Sequence, residues 1–228
     1  EMSASLGAGD VYKRQLLYYA ARLARNQGYQ ILNVSYGSLP ENVKGDRAKM
    51  EQAFELALKH TEQFLQNVDW HSYGSILFIS KSLGTIISSA YASRHDLTVK
   101  SILFTPLADT FSFSLAGSIA FHGTADPWAE TEIIQKLAQQ KEVPLFLTKN
   151  ANHSLETGDV LTDITILKTT MERVGVLFNA SLLVLCFLHS YFFEYFILTF
   201  QFHILIHWHF FCLQYPLHSL RSVSYTHL

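Results

Sequence analysis

The chain has 228 residues, 49% of them hydrophobic, and a net charge of −2, which predicts one sizeable core. No block of Lys and Arg gathers anywhere along it, which excludes a basic footprint for nucleic acid. Both cysteines, Cys186 and Cys212, lie near the end of the chain, so residues 16–173 have no disulfide framework, as suits a reducing cytoplasm.

Residues 1–15 lack the continuous apolar run of a secretory signal, and a cytoplasmic protein is expected. Within them, Asp10-Val11-Tyr12-Lys13-Arg14-Gln15 can be encoded as GAT GTG TAT AAG AGA CAG. The reverse complement, read in a shifted frame, gives Val-Ser-Tyr-Thr-His, which is Val223–His227. One short DNA element therefore accounts for both ends, and it resembles the transposon-end adapter of sequencing libraries. Residues 1–15 and the last few residues are expected to be non-native and are set apart from fold reasoning.

From residue 16 the chain alternates helical and strand patterns. Leu16–Asn26 has Leu16, Leu17, Ala20 and Ala24 at helical spacing, and Tyr29–Tyr36 (YQILNVSY) reads as a strand. Asp46–Gln66 predicts a long amphipathic helix with Met50, Phe54, Leu58 and Phe64 toward one face. Strand Ser75–Ser80 (SILFIS), helix Gly84–Arg94, strand Val99–Thr105 and strand Ser118–His122 follow. Helix Ala129–Gln140, strand Val143–Thr148 and helix Val160–Glu172 complete the series. Five strands alternating with helices predict a parallel sheet covered on both faces. The domain expected over residues 16–175 is thus α/β.

Residues 176–228 break the rhythm. Between Val174 and Leu220 the only charged side chain is Glu194, and nine of the 17 Phe and five of the 11 His fall there. No helical or strand period can be phased through it, so a frameshifted or non-coding translation is expected. A membrane anchor is the rival reading, yet a span needs about 20 apolar residues, and His189 and Glu194 interrupt the run. His203, His207 and His209 mimic zinc spacing, but in this composition no metal site is expected.

The chemistry concentrates at strand ends. A nucleophilic serine needs its Oγ lifted clear of the backbone, and a sharp strand-to-helix turn between small residues does this. Ser80-Lys81-Ser82-Leu83-Gly84, after Ile76–Ile79 and before Thr85–Ala90, has that context, with Ser80 where the G-x-S-x-G pattern has its first glycine. Taken alone, the segment fits equally a serine-rich strand end followed by a helix start. Two further strands run into His122-Gly123-Thr124-Ala125-Asp126-Pro127 and Asn150-Ala151-Asn152-His153-Ser154. A carboxylate and an imidazole would thereby reach the carboxyl edge of the sheet, where such folds bind ligands.

The set S-x-S-x-G, H-G-T-A-D-P and N-H-S, in that order, resembles the small α/β-hydrolases over nearly all of residues 16–173. The resemblance implies a three-layer α/β-hydrolase-like sheet, truncated at the N-terminus and lacking its first strands. It also implies a serine hydrolase acting on an ester or related acyl bond of a small molecule, with no cofactor. By this likeness Ser82 is the nucleophile, His153 the general base, Asp126 its orienting acid, and the Leu83 backbone N–H one oxyanion donor. Asp109 is the alternative acid, with Asp126 favoured by the family loop. His122 is read as structural, and His60, His71 and His95 as solvated.

In the family, the strand before the first helix ends in a loop that supplies the second oxyanion donor. Residues 1–15 stand in its place, so that donor is expected to be missing and the sheet to be open between Tyr29–Tyr36 and Ser75–Ser80. Weak or no activity is expected of the chain as written. The competing functions are a non-catalytic α/β-hydrolase-like binding protein and, if the tail is genuine, a membrane-anchored protein with a soluble head.

Overall fold

A computed structural model describes residues 15–36, 39–40, 46–178 and 221–226. In chain order these form α1 (Gln15–Asn26), β1 (Tyr29–Val34), α2 (Arg47–Leu65), β2 (Ser75–Lys81), α3 (Leu83–Arg94), β3 (Lys100–Phe104) and β4 (Ile119–Gly123). They continue with α4 (Thr131–Gln140), β5 (Leu145–Thr148), a helix α5 over 160–178, and β6 (Arg221–Thr226). Short 3₁₀ turns cover Trp70–Ser72 and Ala108–Ser112. The strands make one parallel sheet in the order β1-β6-β2-β3-β4-β5.

Alternate residues of a strand point to opposite faces of the sheet, and here both faces are covered. Leu77, Ile79, Ile102, Phe104 and Phe121 meet Leu17, Ala20 and Ala24 of α1 and Val174 and Phe178 of α5. On the reverse face Phe78 packs with Ala53, Ala57 and Leu58 of α2 and Ile87 of α3. Leu103 and Ala120 pack there with Ile134 and Ala138 of α4. The result is a three-layer α/β fold, as the alternation predicts.

Two boundaries and one helix face differ from the sequence reading for local reasons. Asp46 is the N-cap of α2, its carboxylate accepting the Lys49 N–H at 3.0 Å, rather than the first helical residue. Along α2 the buried row is Ala53, Ala57, Thr61 and Leu65, four residues apart, so Phe64 stands 50% exposed. Strand β5 begins only after Pro144, which has no N–H to give to a ladder.

The larger difference concerns the open slot. The residues that sequence reasoning sets outside the fold provide β6, which lies between β1 and β2, pairing Tyr29–Val34 on one side and Ser75–Ser80 on the other. The sheet is therefore continuous. The physical reason is that facing edges of β1 and β2 would leave a row of backbone donors and acceptors unmet, and any extended segment can meet them with its main chain. Residues 1–14 and 179–220, including Cys186, Cys212, His203, His207 and His209, lie outside the described residues. Among the described residues no helix is long and apolar enough to cross a membrane.

Candidate active site

Ser82 sits between β2 and α3 with φ 56° and ψ −130°, a backbone conformation that costs a non-glycine residue free energy and persists only when its surroundings impose it. Those surroundings are visible. Its N–H donates to the Phe104 carbonyl at 3.1 Å, and its own carbonyl accepts from the Thr85 N–H at 2.9 Å and the Thr85 hydroxyl at 2.7 Å. The Thr85 hydroxyl is also 2.6 Å from that of Thr110, tying the start of α3 to the second 3₁₀ turn. Ser80, where the elbow pattern has glycine, is fully buried and accepts a hydrogen bond from Ser88 Oγ at 3.0 Å. Its hydroxyl is thus satisfied inside the core.

The loops after β4 and β5 are clasped together. A Cβ on Gly123 would lie 2.2 Å from the Ala151 carbonyl oxygen and 2.6 Å from that of Asn152, so only glycine allows this approach. The Thr124 N–H donates to Thr148 O and the Ala125 N–H to Ala151 O, both at 2.9 Å, while the Asn150 N–H donates to Thr124 Oγ1 at 2.8 Å. Asn152 holds the turn that carries His153: its Oδ1 accepts from the Ser154 N–H at 2.7 Å and the Glu156 N–H at 3.2 Å.

Three side chains meet across these loops. His153 Nδ1 is 2.7 Å from Asp126 Oδ2, and His153 Nε2 is 2.7 Å from Ser82 Oγ. The Asp126 carboxylate is wholly buried, whereas the imidazole retains 15% exposure toward solvent. Asp126 Oδ1 accepts the Trp128 N–H at 2.9 Å, and the Trp128 ring stacks on the His153 ring with centroids 5.3 Å apart. Burial pushes the Asp126 carboxyl up, but the His153 hydrogen bond, the Trp128 N–H and the positive charge available on His153 and His122 outweigh it and hold it below the usual range.

Sequence reasoning missed Trp128 as a neighbour of the cluster, while His122, read as structural, stands behind Asp126. Trp128, two residues past Asp126, offered the signal of an aromatic in the acid loop, though nothing local told which ring it would cover. His122 is fully buried, with Nδ1 3.8 Å from Asp126 Oδ2 and without a hydrogen-bond partner, and Nε2 3.2 Å from Thr131 Oγ1. Burial, and then the charge of His153, push its pKa down against the pull of Asp126.

The remaining candidates lie apart from this cluster. Asp109 is exposed in the second 3₁₀ turn, on the wall of a groove beside α3, while the His153 Nδ1 position is taken by Asp126. His71 is exposed, and His95 pairs with Glu62 at 2.6 Å. His60 departs from the solvated reading: it is half-buried, with Nδ1 bonded to the Tyr36 carbonyl. Leu83 opens α3, so its N–H is one of the four that a helix start leaves without an intrahelical acceptor. The position expected to carry a second donor falls before Gln15, outside the described residues. Among the described residues no three His, Cys, Asp or Glu side chains group as metal ligands would.

No protein-family profile and no curated protein matches the chain. Solved structures similar in outline include a protein from Xanthomonas campestris pv. campestris, provisionally assigned to the alpha/beta hydrolase superfamily. It is 14% identical with a TM-score of 0.49, over 70% of this chain and 89% of that one. Another is a protein of unknown function from Agrobacterium tumefaciens, provisionally an alpha/beta hydrolase, at 16% identity and TM-score 0.47 over 71% and 76% of the two chains. An alpha-beta serine hydrolase homologue from Coxiella burnetii is 14% identical with TM-score 0.42, over 71% and 75%. Independently of these likenesses, the chain's own strand order and helix layers make it an α/β protein with a parallel sheet flanked by helices.

Proposed function

We propose that the chain is a serine hydrolase of the α/β-hydrolase kind, cleaving an ester or related acyl bond of a small molecule. The observation that supports it is the single imidazole bridging Ser82 Oγ and Asp126 Oδ2, 2.7 Å from each. With Nδ1–H donated to the buried carboxylate, Nε2 is left as an acceptor for the Ser82 proton. Ser82 Oγ then attacks the acyl carbon, and His153 returns the proton to the leaving group as the carbon–oxygen bond breaks. A water activated by the same imidazole releases the acyl group from Ser82. The Leu83 N–H, at the first position of α3, supports a role as oxyanion donor, a contribution of about 2.7 to 4 kcal/mol where such donors have been removed.

A fluorophosphonate probe tests this. It is expected to label the 228-residue chain once, at Ser82, slowly where the missing second oxyanion donor leaves turnover weak, and to leave Ser82→Ala and His153→Ala unlabelled, as read by intact mass and peptide mapping. Absence of labelling in a folded protein would refute the hydrolase and leave the non-catalytic binding protein. Labelling that persists in Ser82→Ala would move the nucleophile elsewhere.

A further inference from the structure

Beside the start of α3 lies an open groove of about 600 Å³. Its apolar lining comes from Met50 and Phe54 of α2, Leu83 and Ile86 of α3, and Phe113 after the second 3₁₀ turn. The polar lining groups are Asp46, Arg47, Glu51, Asp109 and Ser112. Leu83 joins this groove to the site above. Its side chain lines the groove, 2% exposed, while its backbone follows Ser82 directly and presents the proposed oxyanion N–H. The Thr85–Thr110 hydrogen bond at 2.6 Å fixes the groove's two walls relative to Ser82.

We infer that this groove takes the acyl part of the substrate, as an uncharged apolar chain, with its carbonyl carbon at Ser82 and its tail over Met50 and Phe54. The inference rests on the acyl-hydrolase reading. The chemistry of the lining selects the class. Burying methylenes against five apolar side chains is favourable, each being worth up to about a fourfold change in binding. Three carboxylates, Asp46, Glu51 and Asp109, line it against one guanidinium, Arg47, with Lys49 offsetting Asp46 from 3.8 Å. An acyl chain ending in a carboxylate would meet Asp109 and Glu51 and be disfavoured.

Labelling rates at Ser82 read this without requiring turnover. The probes are methyl-, octyl- and ω-carboxyoctyl-fluorophosphonates on the full chain. The octyl probe is expected to label about thirtyfold faster than the methyl probe, and the carboxyoctyl probe several-fold slower than the octyl. Phe54→Asp is expected to remove most of the octyl advantage, read as the octyl-to-methyl rate ratio within the same variant, and Asp109→Asn to restore the carboxyoctyl rate. Methyl and octyl probes labelling alike, with Phe54→Asp without effect, would overturn the groove assignment while leaving the hydrolase standing. If no probe labels Ser82, both fall together. Circular dichroism establishes folding of each variant, and Met50→Trp, which fills the groove with an apolar ring, provides a second block should Phe54→Asp unfold.

Discussion

Asp126 receives contacts from both sides: His153 at 2.7 Å on Oδ2, the Trp128 N–H at 2.9 Å on Oδ1, and His122 at 3.8 Å behind. Asp126→Asn keeps the shape but favours the wrong imidazole tautomer, and the rate of fluorophosphonate labelling at Ser82 is expected to fall by up to about 10⁴-fold with the fold unchanged. The two lowered pKa values also set the acid limit of stability. The Asp126 carboxyl lies below its ordinary value, so its stabilisation is present above about pH 4 and is lost as pH falls through the folded pKa. For His122, burial disfavours the charged imidazole, so the unfolded chain takes a proton below about pH 6.5 while the folded chain takes it only at lower pH. Stability therefore falls with pH below that point. Thermal unfolding between pH 7.5 and 5 is expected to show a shallower slope for His122→Gln, and an unchanged slope would remove His122 from the account.

The loops that carry Asp126 and His153 are made one unit by a glycine, and sequence pattern alone shows Gly123 only as part of H-G-T-A-D-P. In Gly123→Ala the methyl would collide with backbone oxygens that cannot turn aside, so a loss of about 3 kcal/mol in stability is expected together with slower labelling of Ser82. Denaturant unfolding measures the first and the probe the second. In the turn between β2 and α3, Ser80 is accommodated because Ser88 donates to it inside the core at 3.0 Å. Ser88→Ala strands that hydroxyl and is expected to cost about 1 to 2 kcal/mol, part of which Ser80→Ala in the same chain recovers. The strand-to-helix turn was legible as small residues around Ser82, whereas Ser88 as the support of Ser80 was not, since that pairing needs α3 already laid on β2.

Across the whole molecule the sheet depends on β6, which joins β1 to β2. Deleting residues 221–228 would leave two facing rows of main-chain groups without partners in the interior of the sheet, and a fall of more than about 10 °C in Tm is expected. The residues alone determined the five strands and the helices between residues 16 and 173, that these strands run parallel beneath covering helices, and that Ser82, Asp126 and His153 stand at strand ends, but not that residues 221–226 form a strand. Those properties are local: period, turn residues and chain order report them within a few positions. The tertiary structure decided which strand fills the slot beside β2, that Trp128 covers His153, that His122 backs Asp126, and that Asp109 lines a groove. Each of these joins residues that only the packed sheet and its crossovers bring side by side, and spatial neighbourhood of that kind leaves no periodic trace along the chain.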